Sequence, residues 1–344
     1  MSHIITAPLP PHTDHIFASK HGVELPLRIF PSPNPKPNTP WLLYVHGGAF
    51  MTGQHWYPFP WYLRGFGGLK GMHIASISYR LAPHVRFEDM VEDCTDAFAW
   101  LRQHLHEYVP DLDIDNYAIA GQSAGGTLVL TLGRLLQPRP KAVGDVFGLP
   151  DFFNPFYYDS TPAVPTDIVP TSGRWTDAEL EQGTKDRDPS QAMFYGPNYT
   201  TTSEEDLRKG WDTDVVKFDD KVLFHLDLRY YIRSRKRLFN VLFREDEYAS
   251  REEWETYVRK WNPIDHLTKD FPPTVILHGT GDTMVPVEES RRVAETLRGL
   301  GVEVKIVEEE GQQHAWDRKY DSPQVPGWEQ YIQPILDFVE EKLA

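Results

Sequence analysis

A single cysteine, Cys94, in a chain of 344 residues excludes an internal disulfide and suits a reducing compartment. It recurs with Met90, Ala97, Phe98 and Leu101 at helical spacing, so it reads as a small buried hydrophobe. Positive charge is also scarce: 35 Lys and Arg stand against 50 Asp and Glu, a formal charge of −15. That balance argues against nucleic acid and anionic membrane as partners, because both require basic patches. No uninterrupted apolar stretch approaches the ~20 residues that span a bilayer. Residues 1–30 hold no basic segment followed by a long apolar run, so no secretory signal is read and a cytoplasmic protein is expected. On that expectation the sequon Asn198-Tyr199-Thr200 is a chance match. A zinc-type cluster and a dinucleotide fingerprint are both lacking, so neither metal nor cofactor is expected.

What the chain does contain is a serine between two glycines. Gly121-Gln122-Ser123-Ala124-Gly125-Gly126 follows the apolar run Tyr117-Ala118-Ile119-Ala120 and precedes a helix-compatible run from Thr127 to Leu132. Strand, sharp turn and helix in that order suit a nucleophile elbow, which lifts a serine hydroxyl above the sheet edge and over a helix N-terminus. Three further stretches fit the same chemistry. Trp41 to Val45 is an apolar strand running into His46-Gly47-Gly48-Ala49-Phe50, where consecutive glycines let two N–H groups turn toward one point. Thr274 to Leu277 is a buried-type strand, and the turn beyond it presents Asp282. Val302 to Val307 alternates as a strand does, and the loop after it delivers His314. The order Ser123, Asp282, His314, each beyond a strand end, gives a nucleophile, an acid and a base in an order unlike the chymotrypsin and subtilisin types.

These residues, with Ser78-Tyr79-Arg80-Leu81-Ala82-Pro83 and with Glu92-Asp93-Cys94 leading to Ala99-Trp100-Leu101, resemble the α/β-hydrolase superfamily. Within it the chain is similar to the hormone-sensitive-lipase-like esterases, over residues 41–150 and 265–344. Ala49 stands where that family has a third glycine, and Gln122 where it usually has an acid. The resemblance implies an α/β-hydrolase fold: a mostly parallel central sheet flanked by helices, with a mainly helical cap insertion. It also implies a structural role for His46. The expected assignment is Ser123, Asp282 and His314 as catalytic residues, with an oxyanion hole from the N–H groups of Gly47, Gly48 and Ala124. His278 reads as a core histidine. Asp89, Glu92 and Asp93 read as acids at a helix start rather than as a metal site.

Organisation follows from where the strand–helix rhythm breaks. Residues 14–33 read as two short strands, and from 41 to 150 strands and helices alternate. Residues 151–265 then hold the aromatics Phe152, Phe153, Phe156, Tyr157 and Tyr158, followed by charged, helix-favouring runs. About 115 residues cannot stay a structureless loop inside a compact domain, so a cap over the site is expected there, with the core at 1–150 and 266–344. Phe153, Tyr157 and Trp316 are candidates for contact with substrate, although Trp316 could equally pack in the core. The expected activity is hydrolysis of a carboxylic ester of small or medium, partly aromatic or apolar character. An arylformamidase-like amide hydrolase, a non-hydrolytic natural-product enzyme and a receptor remain as alternatives, and a homodimer stays open.

Overall fold

Alternation along the third strand sets both faces of the sheet. In β3 (Thr39–Val45) the side chains of Trp41, Leu43 and Val45 enter one buried cluster, while Leu42 and Tyr44 enter the other. A strand buried on both faces reads as a continuous apolar run, as this one does. The computed structural model describes residues 10–56, 58–158, 172–192 and 220–344. In it eight strands form one sheet in the order β1-β2-β4-β3-β5-β6-β7-β8. The remaining strands are β1 (Thr13–Lys20), β2 (Val23–Phe30), β4 (His73–Ile77), β5 (Leu112–Gln122), β6 (Ala142–Val146), β7 (Thr274–Gly279) and β8 (Val304–Glu309). Pairs involving β1 and β2 are antiparallel, and every other pair is parallel.

Helices α1 (Phe87–Tyr108) and α2 (Ala124–Leu135) cover one face. The first buries Met90, Cys94, Ala97 and Leu101, the stripe that its sequence spacing predicts. Trp61, Tyr62, Trp328, Ile332 and Leu336 cover the other face, with the C-terminal helix contributing Leu336. Between β6 and β7 the described residues hold, besides short 3-10 turns, four α-helices, α3 (Asp177–Gly183), α4 (Asp220–Ser234), α5 (Leu238–Leu242) and α6 (Arg251–Arg259). Helix α7 (Val287–Gly299) then leads to β8, and α8 (Gln333–Leu343) closes the chain. Positions 159–171 and 193–219 of the expected cap, including the sequon at Asn198, lie outside the described residues.

Parallel pairing brings the strand ends level. Val45 pairs with Gly121, Gln122 with Val146, Leu277 with Val146, and Gly279 with Glu309. The loops that follow β3, β5, β7 and β8 therefore leave from one edge of the sheet. That edge is where open parallel sheets place their ligands.

Candidate active site

Ser123 sits at the turn from β5 into α2 with φ 53° and ψ −122°, a backbone conformation that costs a non-glycine residue about 1–3 kcal/mol. Its N–H donates to the Val146 carbonyl at 2.8 Å, which ties the turn to β6. Neighbouring backbone leaves no room for side chains on either side. A Cβ at Gly121 would stand 2.5 Å from the Gly125 carbonyl oxygen, and one at Gly125 would stand 2.1 Å from that of Val45. The glycines of the sequence motif are thus a packing requirement of the elbow.

The loops after β7 and β8 are fastened to each other. Gly281 N–H donates to the Gln312 carbonyl at 3.0 Å, Gly311 N–H to Thr280 Oγ1 at 2.8 Å, and Thr283 Oγ1 to Gln313 Oε1 at 3.1 Å. This lacing brings Asp282 to His314. His314 Nδ1 donates to Asp282 Oδ2 at 2.6 Å, and Nε2 lies 3.0 Å from Ser123 Oγ, in place to accept its proton. The carboxylate accepts only, which fixes the proton on Nδ1. Asp282 Oδ1 accepts from the N–H groups of Met284 and Val285 at 2.8 and 2.9 Å. Burial works to raise the Asp282 pKa, but the His314 charge and hydrogen bonds from His278 and His314 outweigh it. The carboxyl is held well below its ordinary value.

Gly47 lies against the elbow: a Cβ there would stand 3.2 Å from the Ser123 Cβ. Gly48 has φ 124°, and its carbonyl accepts from Met51 N–H at 3.1 Å and from Thr52 N–H at 3.0 Å. Ala49, where the resembled family has glycine, keeps a glycine-type φ of 55° and lines the cleft. Ala124 opens α2 directly after Ser123. His46 stacks on Tyr79 with centroids 4.3 Å apart and bonds the Gly47 carbonyl through Nδ1 at 2.8 Å, and burial pushes its pKa down to about 4. It underpins the loop rather than joining the Ser123 group. Asp93 binds the buried Arg80 through both carboxylate oxygens at 2.9 Å, and Asp89 caps the Arg86 N–H at 2.8 Å. Among the described residues no group of acids, histidines and cysteines is arranged to hold a metal.

The aromatic candidates separate. Tyr157 lines the cleft that contains Ser123 and His314, and Phe156 lines it beside Tyr157. Phe153 does not. It packs on Trp254 with ring centroids 6.5 Å apart, under the Arg259 guanidinium. Trp316 is also a core residue. It lies against Phe147 at 5.7 Å, and its indole N–H donates to Glu309. Sequence reasoning missed Met284, Arg233 and Lys236 in the cleft wall, and it missed the contact of His278 Nε2 with Asp282 Oδ2 at 3.3 Å. The three wall residues belong to no motif. A signal for α4 existed in the stripe His225, Arg229, Arg233, spaced four apart.

Comparison with known proteins agrees with this architecture. A family model described as the alpha/beta hydrolase fold matches residues 42–220, just over half of the chain. The chain belongs to that family. A second model, for the prolyl oligopeptidase family, matches residues 224–344. The non-reducing polyketide synthase Preu6 of Preussia isomera is 28% identical over 317 residues, covering 87% of this chain but 13% of that protein. Esterase LipC of Mycobacterium tuberculosis is 24% identical over 289 residues, covering 82% of this chain and 54% of that protein. The chain thus spans about an eighth and about half of these relatives. The solved hyperthermophilic esterase of the archaeon Pyrobaculum calidifontis superposes with a TM-score of 0.59 at 18% identity, covering 99% of this chain and 89% of that one. At that identity the likeness concerns the fold. No helix among the described residues of this hydrolase-fold protein is long and apolar enough to cross a membrane.

Proposed function

We propose that this protein is a serine hydrolase that cleaves a carboxylic ester through an acyl-enzyme. One observation carries the reading: His314 meets Ser123 Oγ at 3.0 Å with one ring nitrogen and Asp282 at 2.6 Å with the other. A serine hydroxyl is a weak nucleophile at neutral pH and needs such a base within hydrogen-bond reach. His314 takes the Ser123 proton as Oγ attacks the ester carbonyl, then returns it to the departing alkoxide. Asp282 holds the imidazole tautomer and stabilises the imidazolium. The N–H groups of Gly47, Gly48 and Ala124 receive the tetrahedral oxyanion, each worth roughly 10²–10³ in rate. Water, activated by the same histidine, releases the acid.

Residues 151–265 act as the cap in this proposal. Phe156 and Tyr157 face Ser123 across the cleft and accept a small or medium apolar or aromatic group. Similarity to LipC, an esterase, supports the reaction class. Similarity over 87% of this chain to a polyketide synthase favours a second reading of the acyl group, as a polyketide ester. The test is a panel of p-nitrophenyl esters of rising chain length, run with wild type and Ser123→Ala, beside labelling by a fluorophosphonate. Turnover lost in Ser123→Ala and a covalent adduct on Ser123 are expected. An unmodified Ser123 in a folded sample that still hydrolyses the esters would overturn the proposal.

A further inference from the structure

Tyr157 carries a polar group that the fold itself does not use. The residue is 7% exposed, and it lines the cleft with Ser123, His314, Leu149, Met284 and Val285. Its ring is held by other rings: it meets Phe239 edge-on with centroids 5.1 Å apart, and Phe156 at 5.4 Å. A phenylalanine would make the same contacts. The hydroxyl is buried with them and has no hydrogen-bond partner. Neighbouring polar groups of the cleft are engaged within the protein. Ser123 meets His314, Thr283 Oγ1 donates to Gln313, and the Lys236 ammonium donates to the Phe156 carbonyl. A buried hydroxyl left unpaired destabilises the folded chain. Kept in the wall of a cleft, it is explained by a partner that arrives with the ligand.

The surroundings of the hydroxyl define that partner. Burial pushes its pKa well above the ordinary tyrosine value, and the charges of Glu289, Asp282 and Asp151 add to the rise. The phenol therefore keeps its proton throughout the neutral range and serves as a donor. The same neighbours locate it. Asp282 opens the turn whose next residues, Thr283, Met284 and Val285, form one wall of the cleft, so the hydroxyl lies toward the catalytic end. A donor beside three acids pairs best with a neutral oxygen, because a further negative charge there would be repelled.

We propose that the Tyr157 hydroxyl is a specificity-determining donor, and that the preferred ester carries a second, neutral oxygen acceptor, a ketone or ether oxygen, on its acyl or alcohol part. This inference rests on the ester-hydrolase reading and names the substrate class of that site. A substrate with the oxygen in reach pairs the hydroxyl, whereas a plain hydrocarbon chain of the same length leaves it buried and unpaired. Leu149, Leu238, Met284 and Val285 enclose the carbon chain between the two oxygens.

The experiment measures kcat/KM for pairs of neutral esters of equal chain length, with wild type and Tyr157→Phe. For the acyl part, p-nitrophenyl acetoacetate, levulinate and δ-oxohexanoate are compared with the butyrate, valerate and hexanoate. For the alcohol part, methoxyethyl acetate is compared with butyl acetate. The intrinsic reactivity of each ester cancels when the pair ratio of wild type is divided by that of the variant, and so does partial loss of folding. In at least one pair the ratio, oxygen-bearing over plain, is expected to fall about fivefold or more in Tyr157→Phe. Added salt should leave that fall in place, because neither ester is charged. Ratios unmoved by Tyr157→Phe in every pair, with the plain esters turned over, overturn the donor and leave the hydrolase reading standing. Turnover of none of the esters, with Ser123 unlabelled by fluorophosphonate, overturns that reading and the donor with it.

Discussion

His278 Nε2 lies 3.3 Å from Asp282 Oδ2, the oxygen that also meets His314 Nδ1 at 2.6 Å. The same Nε2 lies 2.9 Å from the Val285 carbonyl, and Nδ1 lies 2.7 Å from Ser290 Oγ. A carbonyl can only accept, so Nε2 carries the proton and Nδ1 accepts from the serine hydroxyl. Two imidazoles thus approach one carboxylate oxygen, one from the core and one from the cleft. The core histidine expected from the sequence is buried as expected, and it also aims the acid.

That geometry makes His278 a positioning residue. His278→Asn is expected to lower kcat about tenfold while KM stays within about twofold, because the substrate's binding surface is untouched and the base is less well oriented. Asp282→Asn, which removes the tautomer control itself, is expected to cost about 10⁴ in kcat. Steady-state kinetics with matched thermal melts checks both. A fully active, folded His278→Asn would reduce the contact to core packing.

The aromatic residues give opposite outcomes from neighbouring positions. Phe153→Ala is expected to lower stability by about 2 kcal/mol, through lost packing on Trp254, and to leave the ester profile fixed. Tyr157→Phe removes a buried hydroxyl that has no partner, so Tm should hold or rise. KM for the preferred ester should rise several-fold, since Tyr157 lines the cleft and its hydroxyl has no partner in the protein. Calorimetry beside an ester panel separates the two. A shifted ester profile in Phe153→Ala, or an unchanged KM in Tyr157→Phe, would reverse these placements.

A buried carboxylate makes part of the stability depend on pH. Glu289 of α7 accepts from Asp151 N–H at 3.2 Å and from the Asn154 amide, clasping the chain that leaves β6 to the core. Burial raises its pKa to about 7, with the Asp151 charge adding to the rise. An acid whose folded pKa is raised binds more protons folded than unfolded, so its contribution falls as pH rises from its ordinary value toward about 7 and then levels. Glu289→Gln lacks this titration. Its stability relative to wild type should therefore climb by about 2 kcal/mol between pH 5 and pH 8. Denaturant melts of the pair at several pH values check it, and a pH-independent difference would show the carboxylate to be ionised throughout.

How much of the site was legible depends on where each residue's signal lies. Ser123, Asp282 and His314 each follow an apolar strand and sit beside glycines that only a tight turn needs, so each carried a local signature. Their meeting needed only the rule that parallel strands end on one edge. The stretch from Phe152 to Tyr158 offered no such help. Five aromatics within seven residues are all suited to burial, yet Phe156 and Tyr157 line the cleft while Phe153 packs on Trp254, a choice made by the distant residues each one meets.

The sequence by itself determined the chain order of the candidate site: glycine loop, elbow, acid turn and histidine loop, because backbone conformation and strand periodicity are local properties. Only the tertiary structure decided what surrounds them. Arg233 and Lys236 lie more than a hundred residues from Ser123 in the chain, and reach its cleft because α4 docks on the Gly47–Gly48 loop through His225 and Arg229. His278 became a partner of Asp282 because the turn after β7 folds back on the strand's own last residues, bringing the Val285 carbonyl and Asp282 to one ring nitrogen. Contacts of this kind depend on which helix face packs against which loop, and no single segment's composition encodes that.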